Sequence, residues 1–338
     1  MTRGSRQISP MAGSTSSILN LYSDRVKNPD RRSGLFHVTL VWERQMKLKE
    51  SLEKKKFVVT SEIQPPIDER PEDLVKRLEL VRGRVDGLTV PELDLEGVVG
   101  DTLKVCQTLK ENRFEAIYQT TTREKNRLQL QKDLLSAHET GVDNLLVFTE
   151  DYRITGDSLQ EMMFFHVDSG KLNSVLEHLR EGHTVDGKEL SSKAEFTIGS
   201  GIESKWGKNV PDQELKEMEE MTKMGTGYFL TTPVFDVRLF ERFSKLANSF
   251  AVPIIAEVMI LRTAGMAQFL NRHLKSGLVP EWVIQKLAKT KDRQQASIEV
   301  FVEIVSGLKD LCQGIHIITV GAEEKLRLYL DAAKLKRF

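Results

Sequence analysis

The chain has 338 residues, and its 49 basic and 49 acidic side chains cancel, which removes the long-range field that a nucleic-acid or anionic-membrane binder uses. Apolar residues make up 40% and charged residues 29%, the balance of a soluble globular protein. The two cysteines, Cys106 and Cys312, lie outside any CxxC pair and exclude a thiolate metal cluster, and no run of 18 apolar residues or signal-like apolar stretch follows Arg3 and Arg6. The expectation is a reduced, cytoplasmic protein that does not span a membrane.

Residues 1–34 hold six basic and two acidic side chains, two prolines and many Ser and Gly, and read as a loose N-terminal arm. Residues 35–338 read as one large domain. VWERQMKLKESLEKKK has the spacing of a solvated helix whose Glu residues offset its lysines, which argues against a nucleic-acid site. FVVTSEI then predicts a strand ending at Glu62, stopped by Pro65 and Pro66, and DLVKRLELVRGR predicts a helix after a Pro71 start. DGLTV and GDTLKVCQTLKEN make a second strand and helix, FEAIYQT and KNRLQLQKDLLSAHETG a third pair. DNLLVF begins the fourth, followed by a polar excursion and the helix of KLNSVLEHLREG. AEFTIGS with DQELKEMEEMTKMG, GYFLTT with DVRLFERFSKLANSF, VPIIAEVMI with GMAQFLNRHLKSG, and GIHIITV with EEKLRLYLDAA complete eight units. VPEWVIQKLAKTKD and ASIEVFVEIVSGLKDL add helices near the C-terminal part.

Eight strand–helix units predict a single (βα)8 TIM barrel with an N-terminal extension, and an open α/β sheet is the other arrangement this order allows. In a barrel the chemistry sits at the C-terminal strand ends, so carboxylates at those ends, such as Glu62 and Asp151, become the first candidates. His166 with Asp168 is the one locally plausible metal-ligand pair, which is too little for a metal site. No GxSxG or phosphate P-loop occurs.

Six blocks in order, TSEIQPP at 60–66, TTREKNRLQL at 121–130, LLVFTED at 145–151, TTPVFD at 231–236, VPIIAEVMILRTAGMAQFLNRHLKSGLVP at 252–280 and GIHIITVG at 314–321, resemble the methylenetetrahydrofolate reductase family. The resemblance implies an FAD-bearing barrel that accepts electrons from NADH, NADPH or another donor and reduces 5,10-methylenetetrahydrofolate to 5-methyltetrahydrofolate. A flavin-poor folate-binding or scaffold subunit of a methyl-transfer complex is the alternative. A homo-oligomer, and an electron-transfer or methyltransferase partner, belong to the same expectation.

By that resemblance Glu62 is the acid that protonates folate N5 as the methylene bridge opens, a step that needs a proton because the departing nitrogen gains basicity. Asp151 binds the pterin and stabilises developing positive charge. Gln119, Thr121, Arg123, Asn126, Asp151 and Asp168 are the implied flavin-binding positions, and Thr232 and Phe235 contact substrate beside Glu62 and Asp151. The plainer readings are a strand-end charge for Glu62, a cap or turn for Asp151, surface pairing and capping for Arg123 and Asn126, and an aromatic core residue for Phe235. The chain departs from the family pattern at Gln119, where a histidine is expected nearby, at Glu150 in place of glycine, at Met221 in place of a basic residue, at Thr232 in place of glutamine, and at Glu257, where a small or apolar residue is usual. Glu257 can meet a ligand or pair with Arg262.

Overall fold

The computed structural model describes residues 47–64, 69–91, 94–95, 98–99, 101–120, 125–148, 150–152, 164–166, 169–202, 212–273 and 279–335. Eight parallel strands close a barrel in the order β1-β12-β11-β10-β9-β6-β5-β2. They are β1 (Val58–Glu62), β2 (Gly87–Val90), β5 (Ala116–Thr120), β6 (Asn144–Phe148), β9 (Thr197–Ile202), β10 (Tyr228–Pro233), β11 (Ile254–Met259) and β12 (Gly314–Ile318). Each of the eight predicted strands is present, and closure between β1 and β12 excludes the open sheet. Two short antiparallel pairs were not anticipated: β3 (Asp94–Leu95) with β4 (Val98–Val99), and β7 (Glu150–Tyr152) with β8 (Phe164–His166).

Helices α1 (Leu48–Glu53), α2 (Pro71–Leu78), α3 (Thr102–Glu111), α4 (Arg127–Glu139), α5 (Ser169–Glu181), α6 (Asp212–Lys223), α7 (Val237–Ala247), α8 (Ala264–His273), α9 (Glu281–Lys289), α10 (Arg293–Leu308) and α11 (Leu326–Ala332) accompany them. Short polar residues start several of these helices by accepting otherwise unpaired first-turn N–H groups. Asp101 accepts from Lys104, Asn126 from Gln129, Asp236 from Arg238 and Leu239, and Asp292 from Gln295. Pro71 opens α2, where its missing N–H costs nothing.

Strand side chains alternate between two cores. Val58, Ile117, Leu146, Tyr228, Leu230 and Ile255 point into the lumen and pack with Leu48 and Leu52 of α1, so this helix plugs the end at which the strands begin. The alternate positions, among them Val59, Ala116, Leu145, Phe229, Ala256 and Ile315, join the larger cluster shared with the outer helices. One irregularity interrupts the wall. Between Leu230 and Pro233, β10 carries one more residue than the matching stretch of β11, from Ile255 to Glu257. Thr231 Oγ1 repairs the ladder there by accepting from the Glu257 N–H at 3.2 Å and donating to the Thr232 carbonyl at 2.9 Å.

The barrel unit extends over Gln45–Phe338. The expected arm, residues 1–34, lies outside the described residues.

Candidate functional site

Because side chains alternate, the lumen-facing register continues upward from the apolar plug into polar residues: Thr60 and Glu62 on β1, Thr89 on β2, Gln119 on β5, Glu257 on β11 and His316 on β12. Glu62 is the last residue of β1, half-buried, in register with Thr89, and its Oε1 accepts from Gln64 Nε2 at 3.0 Å. Thr89 is 1% exposed, and its hydroxyl has no hydrogen-bond partner among the described residues. A buried hydroxyl left this way is costly, so Thr89 is better suited to a bound group than to the barrel alone.

Thr60, His316 and Glu257 occupy one register level on three adjacent strands. Thr60 Oγ1 and His316 Nδ1 are 2.9 Å apart. Burial holds the imidazole neutral by drawing its pKa down to about 3. Glu257 is also buried, a carboxylate placed by β11 within the barrel rather than on its surface.

The wall on the β9 side is built differently. Gly199 and Gly201 face the lumen without side chains, and the rings of Tyr228 and Phe148 cover them. Tyr228 is buried, and burial raises its phenol pKa; Phe148, the last residue of β6, is half-buried.

The other sequence-predicted positions are spread over several elements. Gln119 is half-buried and lumen-facing. Asn126 is exposed, its side-chain oxygen engaged in capping α4 at 2.9 Å from Gln129 N. Next to it, Lys125 Nζ lies 3.1 Å from Asp133 and 3.5 Å from Thr120 Oγ1. Thr232 sits in the β10 bulge, 7% exposed, and Phe235 packs in the outer hydrophobic cluster at 2% exposure. Met221 is likewise a core side chain, carried by α6. Asp151 lies on β7 opposite Phe165, and Glu150 opposite His166, so the end of β6 is followed directly by a hairpin. Thr121, Arg123 and Asp168 lie outside the described residues.

Among the described residues no group of three or more His, Cys, Asp or Glu side chains is arranged to hold a metal, and no helix is long and apolar enough to cross a membrane. Both cysteines are buried free thiols whose pKa is raised by desolvation, Cys312 to about 11. The sequence reading passed over Thr89, Phe148 and the Thr60–His316 pair. Strand parity counted upward from the apolar positions would have identified them.

The solved structure titled "Uncharacterized protein from Clostridium thermocellum binds two copies of 5-methyl-5,6,7,8-tetrahydrofolic acid" is similar to this chain with a TM-score of 0.58 at 17% identity, covering 85% of this chain and 97% of that one. Two others have lower TM-scores: 2,3-dimethylmalate lyase, 0.46 at 11% identity, covering 85% of this chain and 84% of that one, and the carboxyl transferase domain of Rhizobium etli pyruvate carboxylase, 0.48 at 9% identity, covering 85% and 48%. No curated protein matches the chain in sequence. The profile described as methylenetetrahydrofolate reductase matches residues 47–334, which takes in every barrel strand and the polar lumen they carry, and the chain therefore belongs to the methylenetetrahydrofolate reductase family.

Proposed function

We propose that the protein binds a reduced one-carbon folate at the C-terminal mouth of the barrel and, with FAD, reduces 5,10-methylenetetrahydrofolate to 5-methyltetrahydrofolate. The observation that carries this reading is the half-buried carboxylate of Glu62 at the end of β1, in register with the unpartnered Thr89 hydroxyl, in a chain of this family. The Clostridium thermocellum protein supports the ligand class, since it binds two copies of 5-methyl-5,6,7,8-tetrahydrofolic acid.

Glu62 supplies the proton that folate N5 takes up as its bond to the methylene carbon opens. Gln64 donates to the Glu62 carboxylate and fixes its direction. Asp151, on the hairpin beyond β6, accepts from the amino and N–H edge of the pterin and favours developing positive charge at the reacting centre. Thr232 and Phe235 complete the substrate side in this proposal, Phe235 by backing the β10 end from the core.

The described residues fit a flavin. The orphaned Thr89 hydroxyl and the Gln119 amide offer the mixed donors and acceptors that an isoalloxazine edge requires, and Lys125 and the Asn126 amide nitrogen stand at the start of α4 beside the end of β5. Thr121, Arg123 and Asp168 are assigned to the same cofactor. When bound, FAD supplies the two-electron hydride chemistry, with NADH or NADPH as the source of electrons.

The test is an anaerobic absorbance titration of the purified protein reconstituted with FAD, then given reduced donor and 5,10-methylenetetrahydrofolate. Bleaching by donor and return of the flavin spectrum on adding folate is the expected result. Glu62→Gln should bind folate yet turn over about 10²–10⁴-fold more slowly. Well-folded protein that retains no flavin refutes the reductase reading. It would favour a folate-binding or scaffold subunit of a methyl-transfer complex, a second reading that the uncommon lumen carboxylate Glu257 supports.

A further inference from the structure

Strand β9 reads Thr-Ile-Gly-Ser-Gly-Ile, and its two glycines fall two residues apart, on the lumen face. Each neighbouring strand lends a ring to the space left empty. Tyr228 of β10 is in register with Gly199 and covers it deep in the barrel, while Phe148 of β6 is in register with Gly201 and covers it at the mouth. A Cβ at position 201 would lie 2.5 Å from Phe148 Cε1 and 3.0 Å from Cγ, so the phenyl ring occupies the volume that a side chain at 201 would claim.

The two rings differ in what their free sides meet. Tyr228 is closed in by Val58, Ile117, Leu146, Leu230 and Ile255. Phe148 only packs against the rim of that cluster and stays half-buried, at the level where β6 gives way to the hairpin carrying Asp151. Glycine behind the ring lets it lie close to the backbone, with its other side against the inner cluster only in part. A planar hydrophobic surface is thus presented at the mouth, half-open to a ligand.

We propose that Phe148, seated on Gly201, is the stacking platform for the planar heteroaromatic ring that the barrel mouth binds. The role rests on the folate and flavin reading above, and the ring is either the pterin of the folate or the isoalloxazine of the flavin. It is a binding role, distinct from the substrate contact that the family resemblance implies for Phe235, whose ring lies in the outer core.

Full-length protein is titrated separately with 5-methyltetrahydrofolate and with FAD, by calorimetry, as wild type, Phe148→Leu and Phe148→Trp. An aromatic contact of ordinary strength predicts affinity about three- to tenfold weaker in Phe148→Leu for one of the two ligands, with Phe148→Trp within about twofold of wild type. The ligand whose affinity falls identifies the ring. Should Phe148→Leu fail to fold, wild-type protein labelled at phenylalanine gives the answer by NMR, through an intermolecular NOE from the Phe148 ring to the 5-methyl protons of the folate or the methyl protons of the isoalloxazine. Affinities within about twofold of wild type for both ligands, or the absence of both NOEs in the saturated complexes, overturn the platform while leaving the function above intact. Wild type that binds neither ligand overturns both.

Discussion

Adding one methyl group at Gly199 tests how tightly the glycine-backed wall is built. The Cβ in Gly199→Ala would lie 2.5 Å from Tyr228 Cε2 and closer to Cζ and Oη, against an ordinary carbon contact of about 3.5–4.0 Å. The ring must therefore retreat by roughly 1 Å or more, yet it is 2% exposed and enclosed by the inner core. Overpacking of this kind costs about 1–3 kcal/mol, and the smaller chain entropy of alanine returns about 0.4–1 kcal/mol, leaving a loss of about 1–2 kcal/mol. At roughly 2–4 °C per kcal/mol in a large domain, the thermal midpoint should fall by about 2–8 °C, read by circular dichroism or calorimetry. Gly201→Ala presents Phe148 with the same nominal overlap, but that ring ends its strand at the mouth and can swing outward, so its midpoint should move by less than about 2 °C. Tyr228→Phe should recover part of the Gly199→Ala loss by removing the phenol oxygen. Equal losses at the two glycines would refute the claim that the wall is rigid at depth and compliant at the mouth.

Three further outcomes follow from buried or capping groups. His316 has a folded pKa near 3 against an ordinary value of 6.5, so the unfolded chain binds the extra proton first. Stability is fully present above pH 6.5 and declines as pH falls towards 3. The loss at pH 5 is about 2 kcal/mol, seen as a lower urea midpoint, and His316→Gln should flatten that dependence. Asn126→Ala removes the cap that accepts from Gln129 N and should cost about 1 kcal/mol in urea unfolding; a weaker FAD affinity in the same variant would show that its amide also serves the cofactor. Cys106 and Cys312 are buried thiols with raised pKa, so native protein should resist a thiol reagent such as DTNB at neutral pH and react at both cysteines only in denaturant.

The fold was legible because parallel strands buried on both faces announce themselves as compact apolar runs. VVTSE, NLLVF, IIAEVM and GIHII each became a wall strand within a residue or two of the expected place. The hairpin pairs were not, since a strand of two or three residues such as Asp94–Leu95 carries no periodicity to detect. Within the site, motif resemblance located Glu62 at the strand end where it stands, but it could not reveal that Thr232 sits in a bulge or that Phe235 turns into the outer core. The first depends on one extra residue in β10, which the Thr231 hydroxyl bridges. Met221 looked like a departure at a ligand position, whereas the helix spacing that buries it on α6 is a packing signal. Phe148 was overlooked because the close seat of its ring depends on Gly201, a residue of another strand.

The seam between β1 and β12 sets the order in which this chain can fold. Thr60 meets His316, and the Ser61 hydroxyl donates to the Ile317 carbonyl, across 256 residues of sequence, whereas Val59 bonds Asp86 across only 27. Loop-closure entropy for the seam is about 5 kcal/mol against about 3 for the short connection. The β1–β2 contact can thus form early, while the seam waits for the six intervening barrel strands to assemble. Until it closes, β1 and β12 are the open edges of a curled sheet, rich in Val and Ile and competent to pair with another chain, so refolding yield should fall with protein concentration most steeply during that final step.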